Sequence, residues 1–397
     1  ETEEWMARAG GCLANTYARF PVVLERGEGC RVWDVEGREY LDFVAGIAVC
    51  ALGHCHPAIV QAVTSQAARL LHVSNLYHIS PQIRLAELLC QHSFADRVFF
   101  CNSGAEANEA AIKLARKYAK DCGSGERVEI ITMEGGFHGR TMATVTATAQ
   151  AKYQQGFEPL LPGIRYVPFD DLAAVERAVG PETAAILVEP IQGEGGIRVP
   201  SAGYLLGLRK LCDESGALLI LDEIQTGIGR TGRLFAYEHW GVPPDIMTLA
   251  KALGGGLPIG AMLATEVVAA SFTPGTHAAT FGGNPLVTAA AIATLTTILE
   301  QGLVSRAEEM GGRLIQELQA IQDRYAAVKA VRGRGLLIGM ELDREVRPIL
   351  SRCLEAGLLL SNAGEKVIRF APPLIVSQEE VATAAGILDK VLHEVTA

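Results

Sequence analysis

Three ionisable residues stand directly after short apolar runs that read as strands. Glu189 follows Ala184–Val188, Asp222 follows Leu218–Leu221, and Lys251 follows Ile246–Ala250. Open α/β sheets bind ligands in the crevice beyond the carboxyl ends of their strands, so these positions are where chemistry belongs. A lysine after a strand is by default a solvated surface residue. Lys251, however, is flanked by Ala250, Ala252 and Leu253 and followed by Gly254-Gly255-Gly256. Apolar surroundings desolvate an ammonium and favour its neutral, nucleophilic form, the form that condenses with a carbonyl. Two further segments bear on the same crevice. Asn102-Ser103-Gly104-Ala105-Glu106 follows the run Val98–Cys101, with Ser103 placed as N-cap and Glu106 closing a capping box. Such a helix start leaves N–H groups free for an anion, and Gly104 permits its close approach. Phe137 follows Val128–Thr132 among Gly135, Gly136 and Gly139, where it offers an aromatic face.

Pyridoxal phosphate asks for all of these at once. Its aldehyde takes a lysine (Lys251), and its pyridine nitrogen takes a carboxylate that keeps it protonated (Asp222). Its phosphate suits the helix start at Ser103 and Gly104, and its ring suits Phe137. Each feature alone has an ordinary structural reading; together they fit one cofactor. Competing motifs fit less well. Gly227-Ile228-Gly229-Arg230-Thr231-Gly232 is formally a G-x-G-x-x-G, but Arg233-Leu234-Phe235-Ala236-Tyr237-Glu238 follows it instead of an apolar helix. Asp245 precedes the next strand rather than following it, which argues against a nicotinamide dinucleotide and its dehydrogenase chemistry. His54-Cys55-His56 has metal-ligand residue types, yet adjacent residues of an extended chain face opposite ways, so no metal is expected. No Gly-Lys dipeptide occurs, which removes a Walker A loop.

The elements that must position these residues alternate. From about residue 51 to residue 290, strand candidates Val98–Cys101, Val128–Thr132, Ala184–Val188, Leu218–Leu221, Ile246–Leu249 and Gly260–Ala264 are separated by helical stretches such as Ala105–Lys120 and Gly203–Ser215. That order predicts an α/β domain with a mainly parallel sheet. Short runs at Arg31–Val35 and Glu39–Phe43 precede it. After Pro285 come a long helical stretch and strands at Gly335–Leu342, Leu358–Ser361 and Val367–Phe370. A last helix opens with a capping box at Ser377 and Glu380 and has Val381, Ala384, Leu388 and Val391 on one face. The expected division is a large domain over 51–290 and a smaller α+β domain made of 1–50 with 291–397.

Composition sets the class. The 397 residues are 49% hydrophobic and 20% charged, with a net charge of −10, which excludes disorder and argues against nucleic acid or an anionic membrane as partner. Nine scattered cysteines without a C-x-x-C pair read as reduced thiols. No basic-then-apolar leader opens the sequence, and a cytoplasmic protein is expected. Glycine, at 42 residues, is enriched.

The run Leu221-Asp222-Glu223-Ile224-Gln225-Thr226-Gly227 through Gly232, then Lys251, resembles the class III (fold type I) pyridoxal-phosphate aminotransferases. Gly53-His54-Cys55-His56-Pro57, Asn102 through Lys113, Phe137-His138-Gly139-Arg140, Glu189 through Glu194, Phe281 through Pro285 and Arg369 through Pro373 extend the resemblance over essentially the whole chain, in order. It implies that Lys251 is the covalent partner of the cofactor and then its proton carrier. It further implies Asp222 at the pyridine nitrogen, Gln225 near the ring hydroxyl, Ser103, Gly104 and Ala105 on the phosphate, Phe137 on the ring, and His138 and Glu189 close by. Thr280 would reach the phosphate of a neighbouring subunit, which implies a homodimer with sites at the interface.

For substrates, the resemblance implies an amino donor and 2-oxoglutarate as acceptor. Arg140 would bind the substrate α-carboxylate, Arg369 would take the glutamate carboxylate in the other half-reaction, and Glu194 would neutralise Arg369 while a diamine is bound. Family members that use free ornithine carry Tyr where this chain has Ile47, so an acylated donor, N2-acetyl-L-ornithine, is expected. Succinylornithine, ornithine, 4-aminobutyrate and a carrier-linked lysine precursor remain as alternatives. Relatives commonly read Gly-Ser-Thr where this chain reads Ala278-Ala279-Thr280, so Ala279 lacks a hydroxyl expected to touch substrate.

Overall fold

A computed structural model describes residues 1–123 and 125–396. Its centre is a seven-stranded sheet built from β1 (Arg97–Cys101), β2 (Glu129–Met133), β3 (Ile164–Val167), β4 (Thr183–Val188), β5 (Leu218–Asp222), β6 (Ile246–Leu249) and β7 (Gly260–Ala264). The spatial order is β1-β7-β6-β5-β4-β2-β3. All are parallel except β7, which runs antiparallel to both β6 and β1. The carboxyl ends of the other six strands therefore share one edge, and β7 begins there. Every residue of β4, β5, β6 and β7 is buried. This is why their sequences are near-continuous apolar runs with no alternation: helices cover both faces of the sheet.

The expected strands of this sheet are all present, shifted by about a residue at their ends, but three further strands of the chain were not anticipated: β3, Leu24–Glu28 and Val328–Arg334. β3 is an edge strand with an exposed Arg165 and Tyr166, so it lacks the apolar run that marks a central strand. Val328–Arg334 is also an edge strand, interrupted by Lys329, Arg332 and Arg334. It pairs antiparallel with Leu337–Leu342, which begins two residues later than expected because Gly335 lies in the connecting turn with φ +53°. The expected strand Leu358–Ser361 divides between two sheets. Leu358–Leu359 pairs in parallel with Glu39–Asp42, whereas Ser361–Asn362 pairs with Val367–Phe370. The first pairing joins the amino-terminal strands Leu24–Glu28, Arg31–Asp34 and Glu39–Asp42 to the carboxyl-terminal segment.

One hydrophobic core runs through both parts of the chain, linking Leu85, Ile228 and Val287 to Leu314, Ile338, Phe370 and Leu388. The last helix, Gln378–Thr396, opens as expected: the Ser377 amide donates to Glu380 at 2.8 Å and the Glu380 amide to the Ser377 hydroxyl at 3.1 Å. Val381, Ala384, Leu388 and Val391 are all buried. Among the described residues no single helix is long and apolar enough to cross a membrane.

Candidate active site

At the carboxyl edge of the sheet lies a cavity of about 450 Å³, within the ~300–1,000 Å³ range of small-molecule sites. Its wall contains Ser103, Gly104, Ala105, Phe137, His138, Arg140, Glu189, Glu194, Asp222, Gln225 and Lys251, which sequence analysis had placed at one site. Each arrives from a strand end: β1 leads to Ser103, β2 to Phe137, β4 to Glu189, β5 to Asp222 and β6 to Lys251. The antiparallel β7 is entered through Gly256-Leu257-Pro258-Ile259, which closes the same wall.

Lys251 opens a 3₁₀ turn, Lys251–Gly254, with φ +41°, a left-handed conformation that costs a residue with a Cβ and is found where function demands it. The accessible part of its side chain opens into the cavity. Burial pushes its ammonium down to about 8, with Arg369 adding to the effect against the opposing carboxylates Glu194, Asp222 and Glu189. The neutral, nucleophilic amine is thus within reach near neutral pH.

Asp222 is held from three sides. Its Oδ2 accepts from Asn108 Nδ2 at 2.8 Å and meets His138 Nδ1 at 2.7 Å, and its Oδ1 accepts the Ile224 amide at 3.0 Å. Asn108 is itself fixed: it accepts from the Thr248 hydroxyl at 2.8 Å and donates to the His138 carbonyl at 2.8 Å. Burial opposes a charge on His138, but the hydrogen bond and charge of Asp222 win and raise its pKa. Asn108 is not marked by any strand end in the sequence. Its signal was a lone polar residue on the alanine-rich face Ala107, Ala110, Ala111 and Ala115 of the helix Gly104–Asp121. Ile224, an apolar side chain in the same wall as Phe137, carries no such signal.

The helix Gly104–Asp121 starts at the anion cradle. Ser103 Oγ accepts the Glu106 amide at 3.2 Å, as expected of an N-cap. The box closes one residue earlier than anticipated: Glu106 accepts the Asn102 amide at 3.0 Å and the Ser103 hydroxyl at 3.0 Å. First-turn amides have no intrahelical acceptor, so those of Gly104 and Ala105 remain for an anion.

The acidic residues divide by partner. Glu189 accepts the Phe137 amide at 3.0 Å and the Gly193 amide at 3.1 Å, so it fixes the segment that presents the aromatic ring. Burial raises its pKa to about 7. Glu194 is also raised by burial, but Arg369 and then Lys251 outweigh this and hold it below the usual carboxylate range. Arg369 donates through Nη1 to Glu194 and, at 3.2 Å, to Gln225 Oε1, while its Nε donates to Ser361 at 3.1 Å. Arg140 is exposed, its guanidinium 4.0 Å from the Tyr153 ring centroid and 5.6 Å from that of Phe137.

Four anticipated residues do not join this wall: Arg369 stands behind Glu194 and Gln225, to which it donates, and Ile47, Ala279 and Thr280 lie elsewhere. Ile47 is 44% exposed, in a turn with φ +66°. Ala279 and Thr280 line a separate cleft with Asn75 and Leu76. The histidines of His54-Cys55-His56 have other partners: His54 Nε2 meets Asp42 at 2.7 Å, and His56 Nδ1 accepts the Ala58 amide at 3.3 Å.

The residues present fit pyridoxal 5′-phosphate. Lys251 is a depressed-pKa amine, Asp222 Oδ1 keeps acceptor capacity beyond the Ile224 amide, and two helix amides stand free for a phosphate. The buried Nε2 of His138, with no partner among the described residues, leaves a polar atom available at the same place.

The family model for class-III aminotransferases matches residues 12–392. The acetylornithine aminotransferase of Myxococcus xanthus is 54% identical over 96% of this chain and 95% of its own length. That of Methanocaldococcus jannaschii is 49% identical over 99% of each. Among solved structures, the ornithine aminotransferase of Toxoplasma gondii ME49 superposes with a TM-score of 0.97 at 37% identity, covering 100% of this chain and 96% of that one. The N-acetylornithine aminotransferase of Stenotrophomonas maltophilia K279a gives 0.85 at 40% identity, covering 98% and 99%. The chain belongs to the class-III aminotransferases, a family of pyridoxal-phosphate enzymes.

Proposed function

We propose that this enzyme moves the δ-amino group of N2-acetyl-L-ornithine to 2-oxoglutarate, giving N-acetyl-L-glutamate 5-semialdehyde and L-glutamate, a step of arginine biosynthesis. The curated relatives near 50% identity carry that activity in their names, and the pairing of Glu194 with Arg369 beside Lys251 supports it most directly. When bound, the cofactor supplies a carbonyl for the amino group and an electron sink for the carbon that loses its proton. Lys251, neutral above about pH 8, provides the amine that holds the cofactor and afterwards moves a proton at the substrate carbon. Asp222, immobilised by Asn108 and His138, keeps a proton at the pyridine nitrogen. The open guanidinium of Arg140 takes the donor's α-carboxylate as a bidentate pair. Glu194 masks Arg369 while the donor occupies the cavity and releases it to the carboxylate of the acceptor.

The exposed surface supports a homodimer. Leu76 is 82% exposed, Tyr77 68% and Phe281 59%. They share one surface because Asn75 donates to the carbonyls of Ala279 and Gly282, at 3.2 and 3.0 Å, and the His72 ring lies 5.0 Å from that of Phe281. A contiguous apolar surface of this kind is covered by a partner, here a second copy. Thr280, in the middle of it, then faces the partner's phosphate cradle, which accounts for its absence from this chain's own cavity. We also infer that residues 1–50 with 291–397 act as the smaller domain. The nine free cysteines fit the reducing cytoplasm.

A donor panel tests the substrate. The kcat/KM for N2-acetylornithine is expected to exceed that for ornithine and 4-aminobutyrate by at least ~10²-fold, with succinylornithine closer. Equal or better use of free ornithine would replace this reading with an ornithine aminotransferase.

A further inference from the structure

The G-x-G-x-x-G of Gly227–Gly232 binds no dinucleotide in this reading, yet its backbone is packed more tightly than a loop between Asp222 and Lys251 requires. Gly229 and Gly232 both have φ +85°. A Cβ on Gly232 would lie 2.9 Å from the Glu308 Cβ, one on Gly335 would lie 2.4 Å from the Thr231 carbonyl carbon, and one on Gly311 would lie 2.0 Å from the Gly335 oxygen. The loop is thus pressed backbone to backbone against the turn before Leu337–Leu342 and the helix Leu303–Gln322. The Leu336 amide donates to the Arg230 carbonyl at 2.9 Å.

Within that seam lies Arg230. Its side chain is 1% exposed, and it makes no ion pair among the described residues. Nη1 donates to the carbonyls of Leu336 at 3.1 Å and Pro372 at 2.5 Å, while Nε and Nη2 have no partner among the described residues. A buried cation without a counter-charge is expensive, and an apolar side chain of similar volume would fill the space more cheaply. What distinguishes Arg230 is therefore what its donors hold. Pro372 is three residues beyond Arg369. The segment around it is also tied down at Ala371, whose amide donates to Phe43 at 2.9 Å, and at Leu374, whose amide donates to Ala51 at 2.7 Å. These two bonds bracket the turn that puts Val49 in the cavity wall.

We propose that Arg230 is a positioning residue for the acceptor half of the reaction, clamping the segment that follows Arg369 to the loop that follows Asp222. The proposal rests on the reading of Arg369 as the acceptor's carboxylate group. While Glu194 pairs with Arg369, the ion pair holds the guanidinium in place. Once Glu194 withdraws, the Arg230–Pro372 bond keeps the Arg369 strand end in register with Lys251. The donor half-reaction, which uses Arg140, does not depend on it.

The test uses the holoenzyme and follows the cofactor's visible absorbance through each half-reaction separately, N2-acetylornithine driving one and 2-oxoglutarate the other. In Arg230→Met the acceptor half-reaction is expected to lose ~10- to 10²-fold in rate over affinity while the donor half-reaction stays within about twofold, the scale that small misplacements cost. Arg230→Lys, which keeps one donor, should fall between, at ~3- to 10-fold. Arg369→Ala serves as reference and should impair the acceptor half at least as much. If Arg369→Ala is acceptor-selective but both Arg230 variants slow the two halves equally or not at all, the clamp is wrong and the role of Arg369 stands. If Arg369→Ala is not acceptor-selective, both fall. Should Arg230→Met not fold, Arg230→Lys decides alone; failure of both to fold would make Arg230 purely structural and overturn the proposal.

Discussion

Two arginines adjoin the cavity in opposite states, Arg140 in its wall and Arg369 behind Glu194 and Gln225. Arg369 is 2% exposed, donates to Glu194, Gln225 and Ser361, and so arrives at the site already neutralised. Arg140 is exposed, lies over the Tyr153 ring and has no ion pair or hydrogen bond among the described residues. A carboxylate reaching Arg140 has only water to displace. One reaching Arg369 must displace another carboxylate, from a buried place where an unpaired charge costs several kcal/mol, roughly 3–5 when one partner of a buried pair is removed. In the proposed reaction this asymmetry sets the order of events: one arginine is always ready, and the other is exchanged between an internal and an external acid. Selectivity then comes from that exchange more than from the affinity of either arginine.

Removing the open arginine should have the largest effect. Arg140→Ala is expected to lower kcat/KM for N2-acetylornithine by ~10²-fold or more, as loss of a bidentate charge pair does, with the acceptor half-reaction less affected. Steady-state kinetics in both directions would check it, and equal loss in both would erase the distinction between the arginines. Releasing the masked arginine should have an intermediate effect. Glu194→Gln removes the competing charge, and the ratio of kcat/KM for glutamate to that for N2-acetylornithine should rise ~10-fold. An unchanged ratio would mean the ion pair is merely structural.

A smaller effect concerns Lys251, whose depressed pKa depends on burial first and on the charge balance of Glu194 and Arg369 next. Only the neutral amine captures the cofactor, so the rate of cofactor uptake by the apoenzyme should rise with pH through a midpoint near 8 rather than near the ordinary lysine value of 10.5. The smallest effect serves as a contrast, in an ion pair that exchanges with nothing. The Asp42 hydrogen bond raises His54 to about 10 from 6.5. A pKa raised by folding adds stability below the unfolded value and loses it as pH climbs through the folded one. His54→Gln should therefore lower Tm most below about pH 6.5, and the difference from the parent should shrink as pH rises and close near pH 10.

The central sheet was legible because its strands are buried on both faces and so appear as unbroken apolar runs. The edge strands Ile164–Val167 and Val328–Arg334 were not, because one side of each meets solvent and carries arginines. The cavity residues could be read where a strand end announced them, as at Glu189, Asp222 and Lys251. Asn108 and Arg230 could not be read this way. Asn108 stands out only as a lone polar residue on an alanine-rich face, and neither residue has a visible partner until packing brings Asn108 against Asp222 and Arg230 against Pro372. Ile47, Ala279 and Thr280 belong to surfaces whose chemistry, in the proposed dimer, is completed by another chain. The glycine excess also changed meaning: Gly232, Gly311 and Gly335 mark close backbone packing between two parts of one molecule.

That chemistry occurs at this one cavity, with the cofactor carried by Lys251, is tested most directly by borohydride reduction of the holoenzyme followed by peptide mass mapping. The cofactor's mass is expected on the peptide that contains Lys251 and on no other. Label on a different lysine, or a holoenzyme that takes up no label, would contradict it.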